Sequence, residues 1–157
     1  MGNKLLTLGI CMILLAHSSF VLGFGEKPGK PSETLPYRVE ISTDKNTYSA
    51  GEKIIVSIKV TNTSSEAISS YYSSSQKYDF IVSDKDGAEV WRWSHNKMFL
   101  MEVIPFQLKI NEKLKFNYIW DQKDNSGKNV PAGEYYVTGT LTVSPKVNSQ
   151  TICIDII

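Results

Sequence analysis

The sequence predicts an all-β protein, an immunoglobulin-like antiparallel β-sandwich of seven to eight strands. Apolar and polar residues alternate in each extended segment, so that one face of every strand is buried and the other is wet. Gly, Pro, Asn and Asp separate these segments. After residue 36, no segment has apolar residues at helical spacing over several turns. A closed barrel has the same alternation and is the alternative architecture.

The N-terminal segment has the pattern of an export signal. Lys4 precedes an uncharged apolar run, Leu5 to Leu15, and small residues follow it. This pattern predicts a signal peptide at residues 1–23 and a secreted, periplasmic or cell-envelope location. An uncleaved N-terminal helix that anchors the protein is the alternative. Residues 24–36 hold three Pro and two Gly, which predicts a flexible linker before a single domain at residues 37–157.

The alternating segments follow one another along this domain. The clearest pair is a hairpin, in which Tyr78 to Ser83 and Ala88 to Ser94 flank an Asp86-Gly87 turn. The Ser-rich residues 62–75 are expected to form a connection, and residues 98–108 an edge segment that bends at Pro105. The other predicted strands are Tyr37 to Ile41, Lys53 to Asn62, Leu114 to Trp120, Tyr135 to Val143 and Ile152 to Ile156.

Two aromatic residues are expected to have structural roles. Trp120 ends a strand that carries three aromatic side chains on one face, and it should lie in the core. Tyr135 follows Pro131-Ala-Gly-Glu and precedes a long strand, which is typical of the tyrosine corner of immunoglobulin-like sandwiches.

The charge balance gives the domain no strong electrostatic preference. The whole chain has 17 basic and 16 acidic residues. Without residues 1–23, which include Lys4, the numbers are equal. We therefore expect no nucleic-acid partner, and no membrane partner once the leader has been removed.

The residues available for catalysis and metal binding are few. After the leader, His95 is the single histidine and Cys153 the single cysteine. No acid, base and nucleophile set can be assembled, so we expect neither an enzyme nor a cofactor. Two acidic turns, 84–87 and 121–127, lack the ligand spacing of a calcium loop, so no metal is expected. Cys153 lies in an apolar run that favours an inert buried thiol, and a reactive thiol is the alternative.

Aromatic and loop residues are the candidates for binding a partner. Trp91 and Trp93 share one strand face and could form a platform for a peptide or a glycan, although packing into the core is the alternative. Tyr71 and Tyr72 lie in the Ser-rich connection, where aromatic residues often anchor a partner. The remaining candidates follow the second Trp in the sequence and are His95, Lys97 and Met98.

The order of several motifs resembles a known family. The motifs are Tyr78-Asp79-Phe80, Glu89 to Ser94, Trp120, Gly127, Val130, Gly133 and Tyr135. From about Val56 to Leu141 the chain resembles the BsuPI-type intracellular proteinase inhibitor domain. The resemblance implies an immunoglobulin-like sandwich and a protein partner, with inhibition of a serine proteinase through loops or a strand edge.

Two loops are the candidate contacts for such a proteinase. Lys97, in the loop from Ser94 to Met98, could enter a pocket for basic side chains, and the loop from Ser69 to Lys77 carries the two tyrosines. The alternative function is a non-catalytic module of the cell envelope that binds a protein, a glycan or copies of itself. Such a module could add a strand to an edge around residues 98–104.

Overall fold

Eleven strands and no helix make up the part of the chain that the structure describes. The structure is a computed structural model and describes residues 35–157. The predicted signal peptide and all but the last two residues of the predicted linker lie outside the described residues. Among residues 35–157, none forms a helix with the length and hydropathy of a membrane span.

The strands occupy most of the described chain. In chain order they are β1 (Tyr37–Thr43), β2 (Thr47–Tyr48), β3 (Ile54–Asn62), β4 (Ile68–Tyr72), β5 (Tyr78–Ser83), β6 (Glu89–Arg92), β7 (Ile104–Leu108), β8 (Lys113–Trp120), β9 (Gly133–Leu141), β10 (Val147–Asn148) and β11 (Ile152–Ile156).

The strands form three sheets. One has the order β1-β3-β8, and another has the order β2-β11-β9-β5-β6, with β10 paired to β9. A third sheet contains β4 and β7 and is joined to the second by a bridge between Tyr72 and Val143. All pairs are antiparallel except β2 with β11, which is parallel. The predicted all-β sandwich is confirmed.

Alternation along β3 explains how the core forms. Ile54, Val56, Ile58 and Val60 have no solvent exposure, whereas Ile55 on the opposite face is 43% exposed. Side chains two residues apart lie on the same face of a strand, so the four buried residues all point to the second sheet.

The two large sheets approach each other closely at one glycine. A Cβ atom added to Gly139 of β9 would lie 2.5 Å from Cγ1 of Ile58 and 3.0 Å from Cδ1 of Ile41. These two isoleucines belong to β3 and β1, in the facing sheet. Only a residue without a side chain lets the sheets pack at this distance.

The structure adds three strands that the sequence pattern did not reveal. Of these, β2 and β10 are two residues long. The third, β4, lies in the segment that was predicted to be a connection. Ile68 and Tyr72 at its ends are buried, and the strand pairs with β7. Serine is a weak strand former, so this segment is a strand because tertiary pairing and burial stabilise it.

The bend predicted at Pro105 is wrong. Pro105 lies inside β7, opposite Tyr71 of β4. Because β7 pairs with β4 alone, one side of β7 needs no backbone donor, and a proline is tolerated in an edge strand of this kind.

We predict that Gly139→Ala destabilises the fold by about 1–3 kcal/mol, because the added methyl group overpacks the contact with Ile58. Urea unfolding measures this change in the free energy of unfolding. In an Ile58→Ala background, which removes the nearest contacting atoms, the same substitution should cost much less. Equal costs in the two backgrounds would contradict the proposed close contact.

Candidate partner-binding site

Aromatic rings fill the space between β6 and β8. The ring of Trp91 stacks on that of Tyr118, with centroids 5.5 Å apart, and lies 5.9 Å from that of Trp120. The ring of Trp93 lies 4.4 Å from that of Tyr78. We call this group of contacting rings the aromatic cluster; its members are Tyr78, Phe80, Trp91, Trp93, Phe99, Phe116, Tyr118, Trp120 and Tyr135.

Trp91 and Trp93 therefore pack against the core more than they form an exposed platform. Both residues are half-buried and contact the hydrophobic core. Strand β6 ends at Arg92, so Trp93 begins a turn that continues to Asn96, which has a φ of 57°. The two rings still lie on one side of the chain, because each contacts Tyr118.

Lys97 folds back onto this cluster. Its Nζ lies 4.1 Å from the centroid of the Trp93 ring and donates a hydrogen bond of 2.7 Å to the carbonyl oxygen of Trp93. Burial against the ring lowers the pKa of Lys97 from its usual value. Extending Lys97 into the pocket of a proteinase would break both contacts. His95, in the same turn, is exposed.

A buried carboxylate fixes the start of this turn. Asp79 is 5% exposed and accepts hydrogen bonds from the Ser94 hydroxyl (2.6 Å), the Ser94 backbone N–H (3.1 Å) and the Arg92 guanidinium (3.2 Å). It also accepts one from the backbone N–H of Phe80. The alternating pattern had placed Asp79 on the wet face of its strand. The structure buries it there because the Arg92 and Ser94 partners cover it.

The segment after the turn exposes apolar side chains. Met98 is 99% exposed, Leu100 71%, Met101 88% and Val103 73%. We call residues 98–103 the apolar loop. A contiguous set of exposed apolar side chains is unusual on a soluble domain and marks a candidate interaction surface.

The apolar loop is held in place although it belongs to no strand. The backbone N–H of Ser75 donates to the carbonyl oxygen of Leu100, and the backbone N–H of Leu100 donates to the Ser75 hydroxyl, both at 2.9 Å. Phe99 points the other way from Met98 and is half-buried, with its ring 5.9 Å from that of Trp93. The loop is thus anchored at two successive residues, by the ring of Phe99 and the backbone of Leu100.

Of the two tyrosines in β4, Tyr71 alone could contact a partner. Tyr71 is 45% exposed, whereas Tyr72 is 4% exposed and packs edge-on against Phe106 at 5.6 Å. The interpretation of Tyr72 as a partner-binding residue is therefore wrong. Because both residues lie in a strand, they point to opposite faces, and one of them enters the core.

Tyr135 and Trp120, the two residues expected to have structural roles, both form hydrogen bonds within the domain. The Tyr135 hydroxyl donates to the carbonyl oxygen of Pro131, four residues upstream, at 2.7 Å, as in a tyrosine corner. Trp120 is fully buried, and its Nε1 donates to the carbonyl oxygen of Lys123 at 2.8 Å.

The acidic turns use their carboxylates internally. Oδ1 of Asp84 accepts hydrogen bonds from the backbone N–H groups of Asp86 and Ala88, and Oδ1 of Asp124 accepts them from those of Ser126 and Lys128. These bonds are those of Asx-type turns. Hairpin turns therefore account for the acidic residues in both places.

Cys153 is not the inert, buried free thiol that the sequence pattern favoured. It is half-buried on β11 and is not a free thiol. It lies near the carboxylates of Glu134 and Asp155, with possible ligand atoms within 4.8 Å of one another. Because the sulfur is already engaged, this group does not provide a thiolate for a metal.

Sequence reasoning named Met98 as a contact residue and placed an edge around residues 98–104, but it did not predict an exposed apolar loop. Ser75, Phe99, Leu100, Met101 and Val103 fell inside candidate segments without being named individually. The signal in the sequence was the apolar run from Met98 to Ile104, which is broken only by Glu102 and lacks the alternation of the other strands. Such a run is equally typical of a fully buried strand, and periodicity alone does not distinguish the two.

The fold and this site define a class of protein: a β-sandwich domain with an anchored loop of exposed apolar side chains. A family model gives the particular family. The chain belongs to the BsuPI family, described as intracellular proteinase inhibitors, whose model matches residues 41–146. Among curated proteins, none matches the chain.

Several solved structures are similar to part of this chain at low sequence identity. The alkylpurine DNA glycosylase AlkC of Pseudomonas fluorescens has 11% identity and a TM-score of 0.47, over 77% of this chain and 30% of its own. Spo0M of Bacillus subtilis has 17% identity and a TM-score of 0.43, over 77% of this chain and 49% of its own. A CARDB domain from Pyrococcus furiosus has 13% identity and a TM-score of 0.43, over 77% of this chain and 87% of its own. This chain thus spans less than a third of AlkC and about half of Spo0M.

The family corrects the location inferred from the N-terminal segment. A secreted, periplasmic or cell-envelope location is contradicted by the description of the family as intracellular. The residues that suggested export, and the anchoring helix that was its alternative, lie outside the described residues. A function as a cell-envelope module depended on the same location and is corrected with it.

We predict that Asp79→Ala lowers the free energy of unfolding by about 3 kcal/mol, because it leaves the Arg92 guanidinium and the Ser94 donors without their buried acceptor. Urea unfolding is the measurement. The matched control is Asp86→Ala, which removes an exposed ion pair with Lys85 and should cost less than about 1 kcal/mol. Similar losses in both variants would contradict the role of Asp79.

We predict that Tyr72→Phe makes stability less sensitive to alkaline pH. Burial raises the pKa of Tyr72 from 10.0 to about 12. Since the folded state holds this proton more tightly, the associated stability is present below pH 10 and is lost as the pH rises through the folded pKa. The difference corresponds to roughly 2–3 kcal/mol.

Urea unfolding at pH 9 and at about pH 12 measures the change in each variant. Tyr71→Phe, which removes an exposed hydroxyl from the same strand, is the control. Other buried tyrosines, among them Tyr37 and Tyr48, also have raised pKa values, so part of the pH dependence should remain. An unchanged pH dependence in Tyr72→Phe would contradict the assignment.

Proposed function

We propose that the protein inhibits a serine proteinase by placing the apolar loop, residues 98–103, in the substrate groove of an enzyme with an apolar specificity pocket. The observation that carries this proposal is the combination of nearly complete side-chain exposure at Met98 and Met101 with a backbone hydrogen-bonded at Leu100 and the Phe99 ring packed near Trp93. Membership of the proteinase inhibitor family supports the activity. The serine class of the target follows from the resemblance of the motifs.

Anchoring of the loop favours inhibition over mere cleavage. A loop that is already ordered loses little conformational entropy on binding, so more of the contact energy appears as affinity. Here the two hydrogen bonds to Ser75 and the ring contact with Trp93 provide the order. The aromatic cluster then connects the loop to the core through Trp91 and Trp120.

The chemistry of the exposed side chains points to an apolar pocket in the target. Met98, Leu100, Met101 and Val103 are all uncharged, and Glu102 is the single charged residue of the loop. Lys97 is held against Trp93, which weakens the earlier hypothesis that it enters a pocket for basic side chains. A subtilisin-like enzyme therefore fits this loop better than a trypsin-like enzyme.

Six residues are fewer than a stable interface requires. Inhibitor complexes with proteinases bury roughly 1,600 Å² in total, about 20–30 residues on each side. Neighbouring exposed residues must add to the contact. Two exposed residues are the candidates. Tyr71 of β4 pairs with Pro105 of β7, which follows the loop, and His95 lies in the turn that precedes it.

We predict that the full chain inhibits subtilisin-like proteinases and that Met98→Asp with Met101→Asp raises the inhibition constant at least about 100-fold, because charged groups would be buried in apolar pockets. The measurement is steady-state inhibition across a panel of subtilisin-like and trypsin-like enzymes. Ile157→Asp is the control. Ile157 is 72% exposed and follows β11. In the sheet, β9 and β5 separate β11 from β6.

Two outcomes would overturn the proposal in different ways. If the double variant inhibits as well as the unchanged protein, the apolar loop is not the contact surface. If every proteinase of the panel cleaves the chain without being inhibited, the inhibitory function itself is abandoned. Urea unfolding of each variant shows whether it is folded before inhibition is compared.

A further inference from the structure

Both methionines among the described residues lie in the apolar loop. Of the four methionines in the sequence, Met98 and Met101 fall within residues 35–157. They are 99% and 88% exposed, so almost the whole of each side chain, including the thioether, is open to solvent. The sandwich core is built instead from Ile, Val, Leu and aromatic residues.

Exposed thioethers are open to one particular modification. Hydrogen peroxide transfers an oxygen atom to the sulfur: the O–O bond breaks, an S–O bond forms, the sulfur is oxidised by two electrons and the peroxide is reduced to water. The product is a sulfoxide, which is polar, chiral and reducible by sulfoxide reductases. No covalent change elsewhere in the protein is needed.

The other oxidisable groups of the described chain are less available. Trp91 and Trp93 are half-buried in the aromatic cluster, and Cys153 is not a free thiol. Oxidation by a mild peroxide should therefore act on the apolar loop first, because exposure governs access to the sulfur.

We propose that Met98 and Met101 form an oxidation-sensitive switch, at which peroxide converts both side chains of the free protein to sulfoxides and so weakens its binding to the proteinase. The effect on a proteinase rests on the function proposed above, whereas the modification itself does not. An apolar pocket that accepts a thioether must desolvate the polar oxygen of the sulfoxide, which weakens the contact.

The geometry also predicts that the switch leaves the fold intact. Neither methionine contributes to the buried core, and the loop is held by the backbone N–H and hydroxyl of Ser75 and by Phe99, which oxidation does not alter. Loss of inhibition would therefore occur without loss of stability. This separates a change at the binding surface from general oxidative unfolding.

The experiment treats the full chain with hydrogen peroxide and removes the excess with catalase before the proteinase is added. Peptide mass spectrometry should show one added oxygen atom on each of Met98 and Met101. The inhibition constant toward a subtilisin-like enzyme should rise about 10- to 100-fold. The urea midpoint should not change, and a methionine sulfoxide reductase should restore inhibition.

The matched variant is Met98→Leu with Met101→Leu, which keeps apolar side chains of similar size and removes the sulfur atoms. Whatever inhibition constant this variant has, peroxide should alter it less than twofold. If Met98 and Met101 remain unoxidised while other residues react, the modification site is wrong. If both are oxidised and the inhibition constant is unchanged, the switch is wrong.

The same experiment distinguishes a failure of the modification site from a failure of the proposed inhibitory function. If the untreated chain inhibits no proteinase, the inhibitory function and the regulatory effect both fail. Selective oxidation of Met98 and Met101 is then still decided by the mass spectra of the same samples, which either establish or overturn the modification site.

Discussion

The inward side chains of β3 hold the two large sheets together, and the rest of the domain depends on that contact. Strand β3 pairs on one side with β1 and on the other with β8, and its isoleucine and valine residues are completely buried. They face β9, where Gly139 leaves room for Ile58. Burial of this apolar surface is the main favourable term for such a fold, at about 25 cal/mol per Å².

One open side of the sandwich is closed by aromatic rings. Between the edge strands β6 and β8, rings span the gap that backbone hydrogen bonds do not bridge. Aromatic side chains suit this position because each covers a large area with few rotatable bonds. The buried Asp79 fixes the turn that carries Trp93, so the position of the rings and of the following loop is defined by both packing and hydrogen bonds.

The apolar loop is the part of the molecule that packing within the domain does not explain. Four apolar side chains remain in solvent while the intervening Phe99 is drawn into the aromatic cluster. For the monomer alone, this exposure has no stabilising effect. For a partner with apolar pockets, the same arrangement offers a rigid surface of defined shape, as membership of a proteinase inhibitor family would require. Its two thioethers also make that surface sensitive to oxidation.

The sequence by itself determined the fold class, the main strands, the Asp86-Gly87 hairpin and the positions of Trp120 and Tyr135. These features depend on local rules: alternation with period two, glycine at positive φ, and a short-range hydrogen bond from Tyr135 to Pro131. The motifs also indicated the family.

Only the tertiary structure decided which side chains remain exposed. Tyr71 and Tyr72 look equivalent in a Ser-rich segment, but pairing of β4 with β7 buries one of them. Lys97 and Met98 are neighbours in the sequence, yet the ring of Trp93 holds the first while the second is free of the core. Burial at these positions depends on partners that are distant in the sequence, such as Ser75 for Leu100, and a local pattern does not contain that information.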